Sequence, residues 1–247
     1  MGDTQYLIIG GGLAAASAIE GIREVDKAGG ITLATSEREL PYHRPPLSKS
    51  FLAGKDVVDV LRVHDAAWYR GQKIRVRMGL TAKSVHIGKQ SVQFDNGERG
   101  NYDRLLIATG SAARKLAVPG ADTPGILYLR TLTDSYALRR GIVPGTRVVV
   151  VGGGFIGMEV AASARHLGAS VTVLEMGPVV YRAFASPEIS AFFQGVLTSQ
   201  GVVVRTTTRV ARFLAAGGKL SAVQTEDGEQ IPADIAVVGV GSEPNTD

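Results

Sequence analysis

Two glycine patterns, each answered by an acid, carry the chemistry legible in this chain. Gly152, Gly154 and Gly157 follow a run of valines that begins after Arg147, and Glu175 stands at the end of the next apolar run, Val171 to Leu174. The three glycines have separate tasks: a tight turn, close approach of backbone to a pyrophosphate, and close packing of helix on strand. A helix from about Phe155 to Leu167 would turn its N-terminal amides toward that pyrophosphate. An acid at the end of the following strand can accept both ribose hydroxyls of an adenine nucleotide and would repel a 2′-phosphate, which favours NADH over NADPH. A glycine turn by itself also fits a generic α/β layer. Strand, glycines, helix, strand and acid in register point to a dinucleotide.

The pattern occurs again at the start of the chain. Thr4 to Ile9 reads as a strand, Gly10 and Gly12 follow, and Ala15 takes the third small position. A second strand is expected at Ile31 to Ala34, and Glu37 lies just beyond it as the candidate acid for a second adenosine ribose. Two such sites require two domains.

Between them lies Pro41-Tyr42-His43-Arg44-Pro45-Pro46-Leu47-Ser48-Lys49. The prolines stiffen the backbone and keep Arg44 out of regular helix. Arg44 and Lys49 are either a solvated charge pair on a proline-rich surface loop, or two cations beside a ligand that carries a pyrophosphate and an electron-rich ring. Tyr102 to Ala108 reads as another buried strand and ends in Thr109-Gly110, which brings backbone close to a ligand without a bulky side chain.

Composition narrows the chemistry. The 247 residues suffice for two modest cores, and the formal net charge is +4 with lysines and arginines scattered rather than clustered. That speaks against a nucleic-acid surface and is compatible with steering an acidic protein partner. The sequence has no cysteine, which excludes cysteine metal ligation and thiol redox centres. His64 and His86 read as structural or surface residues, and no histidine belongs to a metal constellation. Electrons handled by these residues must pass through a bound cofactor. No secretory or membrane-spanning run is visible, so the cytoplasm is expected.

Other elements follow from pattern. Ala82 to Ile87 and Ser91 to Phe94 alternate like a hairpin, with Asp95-Asn96-Gly97 as its nearby turn signal. Asp134 to Arg140 reads as helix. A helix opening at Pro187 carries Phe192 and Phe193, whose reading is core. Segments around Val210 to Leu214 and Leu220 to Thr225 pair across Gly217-Gly218. Ile235 to Gly241 is a buried strand, and Ser242 to Asp247 reads as loop.

With PYHRPPLSKSFLAG, YDRLLIATGSAAR, LRTLTDS, VVVVGGGFIGMEVAA, PEISAFF and GVGSEPN on view, the chain resembles the FAD-dependent pyridine-nucleotide oxidoreductases. Within them it is most similar to ferredoxin reductases of the putidaredoxin and rhodocoxin reductase type. The resemblance implies an α/β protein of two Rossmann-like three-layer nucleotide-binding domains, the NADH domain inserted in the FAD domain. The expected bounds are 1–115 for the first FAD segment, 116–240 for the NADH domain and 241–247 for the return. Gly10, Gly12 and Ala15 would match the FAD pyrophosphate loop, Glu37 its ribose acid, and Arg44 and Lys49 the cations lining FAD. Ala82 would meet the adenine through its backbone, and Thr109, Gly110 and Arg130 make further FAD contacts. Gly152, Gly154, Gly157 and Glu175 would match the NADH site. Lys49 and Glu159 would form a catalytic pair near the nicotinamide.

The implied activity carries electrons from NADH through FAD to a ferredoxin-type iron–sulfur protein, an acidic 2Fe-2S ferredoxin, that serves an oxygenase. The expected state is a monomer or weak homodimer. Alternatives are the same fold with oxygen, a quinone or rubredoxin as acceptor, or a non-catalytic nucleotide-binding module. Members of this group continue past the position of Asp247 with a Gly-Asp motif, whose acid holds the flavin end of FAD, and an interface domain. A fragment, or a truncated form with impaired flavin binding, is therefore expected.

Overall fold

The computed structural model describes residues 4–184 and 186–246. The chain divides into two units. The first gathers Val58–Ser111 with the chain up to His43 and from Pro244 onward; the second comprises Arg44–Val57 and Ala112–Glu243.

In the first unit, β1 (Thr4–Ile9) leads through a glycine turn into α1 (Leu13–Val25), and β2 (Ile31–Thr35) follows. After α2 (Val58–Leu61) and α3 (Ala66–Gly71) come β3 (Ile74–Met78), β4 (Ala82–His86), β5 (Ser91–Phe94) and β6 (Arg99–Ile107). The sheet order is β3-β2-β1-β6-β5-β4. The strands β3, β2, β1 and β6 run parallel, and β4, β5 and β6 form an antiparallel arm. The alternation of β1 explains the layers. Ile8 faces α1 and α3 with Ala15, Ile19 and Tyr69, while Leu7 and Ile9 face the arm with Leu80, Val92 and Phe94.

Two local expectations are corrected here. The β4–β5 hairpin turns through a 3-10 segment at Ile87–Lys89, and Asp95 to Gly97 instead turns β5 into β6, with Gly97 at φ +83°. The strand ending at Ala108 is not fully buried: Ile107 is 57% exposed. Over residues 102–107, β6 pairs with β1 along one edge, and among the described residues no strand pairs with its other edge there.

In the second unit, β8 (Ile126–Tyr128), α4 (Leu132–Gly141), β9 (Arg147–Val151), α5 (Phe155–His166) and β10 (Ser170–Leu174) follow β7 (Ser111–Ala113). Then come α6 (Pro187–Ser199), β11 (Val203–Arg205), the meander β12 (Val210–Ala216), β13 (Lys219–Thr225) and β14 (Gln230–Pro232), and finally β15 (Ile235–Val238). The five-stranded sheet, order β11-β10-β9-β15-β8, is wholly parallel. One face of β9, β10 and β15 supplies Val149, Val151, Leu174, Ala236 and Val238 to a core shared with Phe213, Leu220, Val223 and Ile231 of the meander. α5 packs on β9 and β10 and buries Met158, Val160, Ala161 and Ala164. Both units are therefore Rossmann-like three-layer sandwiches in which the third layer is antiparallel β-structure.

Arg44–Val57 joins the second unit through its hydroxyls and carbonyls. Ser163 Oγ donates to Ser48 O at 2.7 Å, and Ser135 Oγ donates to Leu47 O at 2.7 Å. The segment 242–246 is not all loop: β16 (Ser242–Pro244) pairs with β7, and Asp247 lies outside the described residues. The core reading of Phe192 and Phe193 is also corrected. Phe192 is 66% exposed, because α6 contributes Ser190 and Leu197 to the interior and turns its aromatic pair outward.

Candidate functional site

In the second unit the glycine turn is built by close approach. Gly152 has φ +106°, and a Cβ there would overlap the Gly239 carbonyl oxygen. A Cβ on Gly157 would overlap the Gly152 carbonyl oxygen, so this third glycine lets α5 sit directly on the turn. Gly154, by contrast, has nothing within 4 Å of its Cβ position. It is the N-cap of α5 and supplies no side-chain hydrogen bond. An open glycine at a helix N-terminus without a side-chain cap is a cradle for an anion.

Glu175 forms the opposite wall. Its carboxylate accepts from Gly153 N at 2.6 Å and from Gly177 N at 2.7 Å, which ties the glycine loop to the turn after β10. A cleft of about 560 Å³ opens beside it, lined by Gly152, Gly154, Glu175, Arg182, Arg209 and Glu226. That volume suits a nucleotide-sized ligand.

Lys49 and Glu159 meet within this same unit. Lys49 Nζ lies 2.8 Å from Glu159 Oε1, and Ser48 Oγ donates to Glu159 Oε2 at 2.5 Å. Sequence reasoning missed Ser48 in this role, although its position beside Lys49 in the proline-bracketed 3-10 turn Pro45–Ser48 was the available signal. A second cleft is lined by Arg44, Ser48, Arg130, Gly154, Phe155 and Gly239, among others. Arg44 Nη1 donates to the Arg130 carbonyl at 2.7 Å, so the two arginines stand together. The capping box of α4, Thr131 with Asp134, fixes the Arg130 backbone: Arg130 N donates to Asp134 Oδ2 at 3.0 Å.

The first unit repeats the turn. Gly10 has φ +123°, and a Cβ there would overlap the Ala108 carbonyl; Gly12 is an open N-cap of α1. Ala15 is fully buried against Ile8 and Ile19, so a methyl is accommodated where the second turn demands glycine. Glu37, after β2, accepts from the Tyr42 hydroxyl at 2.5 Å, a partner that sequence reasoning overlooked. Ala82 opens β4 at the margin of the Leu7 cluster. Thr109 and Gly110 are held by Asn245, also overlooked. Thr109 Oγ1 donates to Asn245 O at 2.8 Å, Asn245 Nδ2 donates to Thr109 O at 2.9 Å, and Asn245 N donates to Gly110 O at 2.9 Å. Among the described residues, no group of three or more His, Cys, Asp or Glu could hold a metal ion, and no helix is long and apolar enough to cross a membrane. His64 pairs with Glu20 and stacks on Trp68 at 3.7 Å.

Comparison with known proteins agrees with this architecture. The model of the pyridine nucleotide-disulphide oxidoreductase family matches residues 4–247. The chain is 39% identical to the biphenyl dioxygenase system ferredoxin–NAD(+) reductase component of Paraburkholderia xenovorans (strain LB400), over 96% of this chain and 58% of that protein. It is 36% identical to putidaredoxin reductase of Pseudomonas putida, over 98% of this chain and 59% of the relative. The crystal structure of the covalent putidaredoxin reductase–putidaredoxin complex superposes with a TM-score of 0.93 at 35% identity, covering 99% of this chain and 60% of that one. The chain thus spans about three-fifths of the length of these relatives. With two glycine turns and matching sequence from end to end, the chain belongs to the pyridine nucleotide-disulphide oxidoreductase family.

Proposed function

We propose that this chain is the nucleotide-binding part of an NADH-dependent flavoprotein reductase that passes electrons through FAD to a ferredoxin-type iron–sulfur protein serving an oxygenase. The observation that carries the reading is the open Gly154 cradle at the head of α5, walled by Glu175, whose two oxygens are oriented by the Gly153 and Gly177 amides. The residues fit the implied groups. Gly154 leaves space for a pyrophosphate where a side chain would intrude, and Gly12 does the same at the head of α1. The second unit's turn, with Gly152, Gly157 and Glu175, would hold NADH. The first unit's turn, with Gly10, Ala15 and Glu37, would hold the adenosine side of FAD, with Ala82, Thr109 and Gly110 as further backbone contacts. Arg44, Lys49 and Arg130 are the cations assigned to FAD. The expected bounds of 1–115, 116–240 and 241–247 for the FAD, NADH and returning segments belong to this reading.

FAD, when bound, accepts two electrons from a nicotinamide and releases them singly. The protein's share is orientation and electrostatics. The α5 N-terminus favours phosphate charge, and Glu175 accepts ribose hydroxyls while disfavouring a 2′-phosphate. Lys49 stabilises negative charge near it, and Glu159 balances that ammonium when no such charge is present.

Ferredoxin reductases of dioxygenase systems recur among the relatives, and the net charge of +4 suits an acidic ferredoxin partner. A rubredoxin–NAD(+) reductase of Pseudomonas putida, 34% identical, favours a second reading with rubredoxin as acceptor. Anaerobic NADH titration of the FAD-loaded protein tests the first part: bleaching of the flavin bands is expected, and a flavin that NADH leaves oxidised would sink it. Turnover with a 2Fe-2S ferredoxin against turnover with rubredoxin then separates the acceptors.

A further inference from the structure

Tyr181 is a bulky residue held at φ +51°, in the left-handed region that side chains other than glycine rarely occupy. Such strain persists only where surrounding contacts enforce it. Here they do so from two directions. The Tyr181 N–H donates to the Gly153 carbonyl at 2.7 Å, one of the shorter backbone bonds of the loop. Its ring meets Phe155 at 5.5 Å, Phe184 at 5.5 Å and Phe193 at 5.1 Å between centroids. Val180, fully buried, presses the same loop: a Cβ on Gly153 would stand 2.8 Å from Val180 Cγ1.

The bond to Gly153 has a directional consequence. In a trans peptide the carbonyl and the following N–H point to opposite sides. Pinning the Gly153 carbonyl on Tyr181 therefore aims the Gly154 N–H away from Tyr181. Phe155, the first residue of α5, is held by the Tyr181 ring, which fixes the first turn that carries the remaining free amides. Glu159 lies one helical turn further along the same face. Burial, and after it the negative charge of Glu159, hold the Tyr181 hydroxyl above its ordinary pKa.

We infer that Tyr181 is a positioning residue for the dinucleotide: its aromatic contacts hold a strained backbone that orients the Gly153–Gly154 peptide and the first turn of α5 toward the pyrophosphate. This inference rests on the proposal that the Gly154 cradle binds NADH. Tyr181 makes no claim to touch the reacting atoms, and it acts through Gly153 and Phe155.

A series at this one position tests it, read by NADH fluorescence titration and by thermal melting of each variant. Tyr181→Phe keeps the ring and should bind NADH within about twofold of the wild type. Tyr181→Ala loses the contacts that enforce φ +51° and lets the backbone relax, and should bind about tenfold more weakly. Tyr181→Gly loses the ring but adopts positive φ without cost, so it keeps the Gly153 bond and should fall between the two. Glycine binding more tightly than alanine is the diagnostic order, because a ring needed only for bulk would rank glycine no better. Equal binding by wild type and Tyr181→Ala, or weaker binding by Tyr181→Gly than by Tyr181→Ala at similar melting temperature, overturns the inference. A wild-type protein that fails to bind NADH overturns the inference and the proposed function together, and shows itself before any variant is compared.

Discussion

The Lys49 ammonium and the Glu159 carboxylate stand 2.8 Å apart, joining the proline-bracketed loop to the second turn of α5. Lys49 is 50% exposed and Glu159 20%, so the pair contributes only about 0–1 kcal/mol to folding. Its weight is expected in electrostatics at the site. Lys49→Met keeps the bulk and deletes the charge. Melting should shift little, while the flavin potential falls and reduction by NADH slows on the order of tenfold. Stopped-flow reduction with a potentiometric titration checks this, and an unchanged rate at unchanged potential would return Lys49 to the solvated-loop reading.

Ser48 is the buried half of the same cluster, 1% exposed and donating to Glu159 at 2.5 Å. Ser48→Ala leaves that carboxylate oxygen short of a donor in a partly dry environment. The cost is roughly 1–3 kcal/mol, more than for loss of the exposed ammonium. Urea unfolding of the two variants side by side should rank Ser48→Ala below Lys49→Met; the reverse ranking would show that the ion pair, not the hydroxyl, fixes Glu159.

Glu175 serves two tasks at once. Its oxygens accept the Gly153 and Gly177 amides, so the carboxylate shapes the loop as well as facing the cleft. Replacing it with a neutral residue and adding a nearby arginine should shift the ratio of efficiencies toward NADPH. NADH affinity should fall by about tenfold, because a ribose acceptor and the loop tie are lost together, and NADPH affinity should stay below the native NADH affinity because the loop loses its tie. Dissociation constants for NADH and NADPH decide it; an NADPH affinity equal to the native NADH affinity would show that the tie is dispensable.

The parts legible in the sequence are those fixed by local rules. The strand, glycine, helix and acid series at residues 147–175 needs positive φ at Gly152 and no Cβ at Gly157, and only glycine satisfies both. The exposure of Phe192 was not legible, because a helix with an apolar stripe reads as packed whether or not a neighbour covers it. Ser48, Tyr42 and Asn245 were missed for a different reason. Each acts through a single hydrogen bond or a few, to a partner chosen by the tertiary fold, and a lone hydroxyl or amide has no periodic signature. The same holds for Tyr181, where a strained φ is invisible in residue type.

Asp234 gives a pH dependence with a definite sign. Arg147 hydrogen-bonds its carboxylate through the side chain, at 2.5 Å from Nη2, and through the backbone amide, at 2.8 Å, and holds its pKa below the ordinary value. A depressed folded pKa means that the contribution is complete above the unfolded pKa of about 4 and is lost as pH falls through the lower folded value. With the side chain 44% exposed, solvent screening limits the contribution to under about 1 kcal/mol. Asp234→Asn should therefore be less stable than wild type at neutral pH, and the gap should close in strong acid. Urea midpoints at both pH values test it, and a gap that widens on acidification would contradict the assignment.

Gly154 and Gly157 separate ligand space from folding space within one turn. A methyl on Gly157 would overlap the Gly152 carbonyl oxygen, which is backbone and has no rotamer by which to yield. Either α5 lifts from β9 or the glycine loop shifts, and Gly157→Ala should lose several kcal/mol, on the scale of about 3 for a severe steric conflict in a packed interior. A methyl on Gly154 meets no atom within 4 Å, and its φ of −78° suits any L-residue. Gly154→Ala should therefore fold with stability within about 1 kcal/mol of wild type, as an N-cap exchange of glycine for alanine allows. It should nevertheless bind NADH at least about tenfold more weakly, because the methyl occupies the space through which backbone meets pyrophosphate. Unfolding curves and NADH titrations on both variants provide the check. A Gly154→Ala protein that binds NADH like wild type would remove the pyrophosphate from this cradle, whatever Gly157→Ala does.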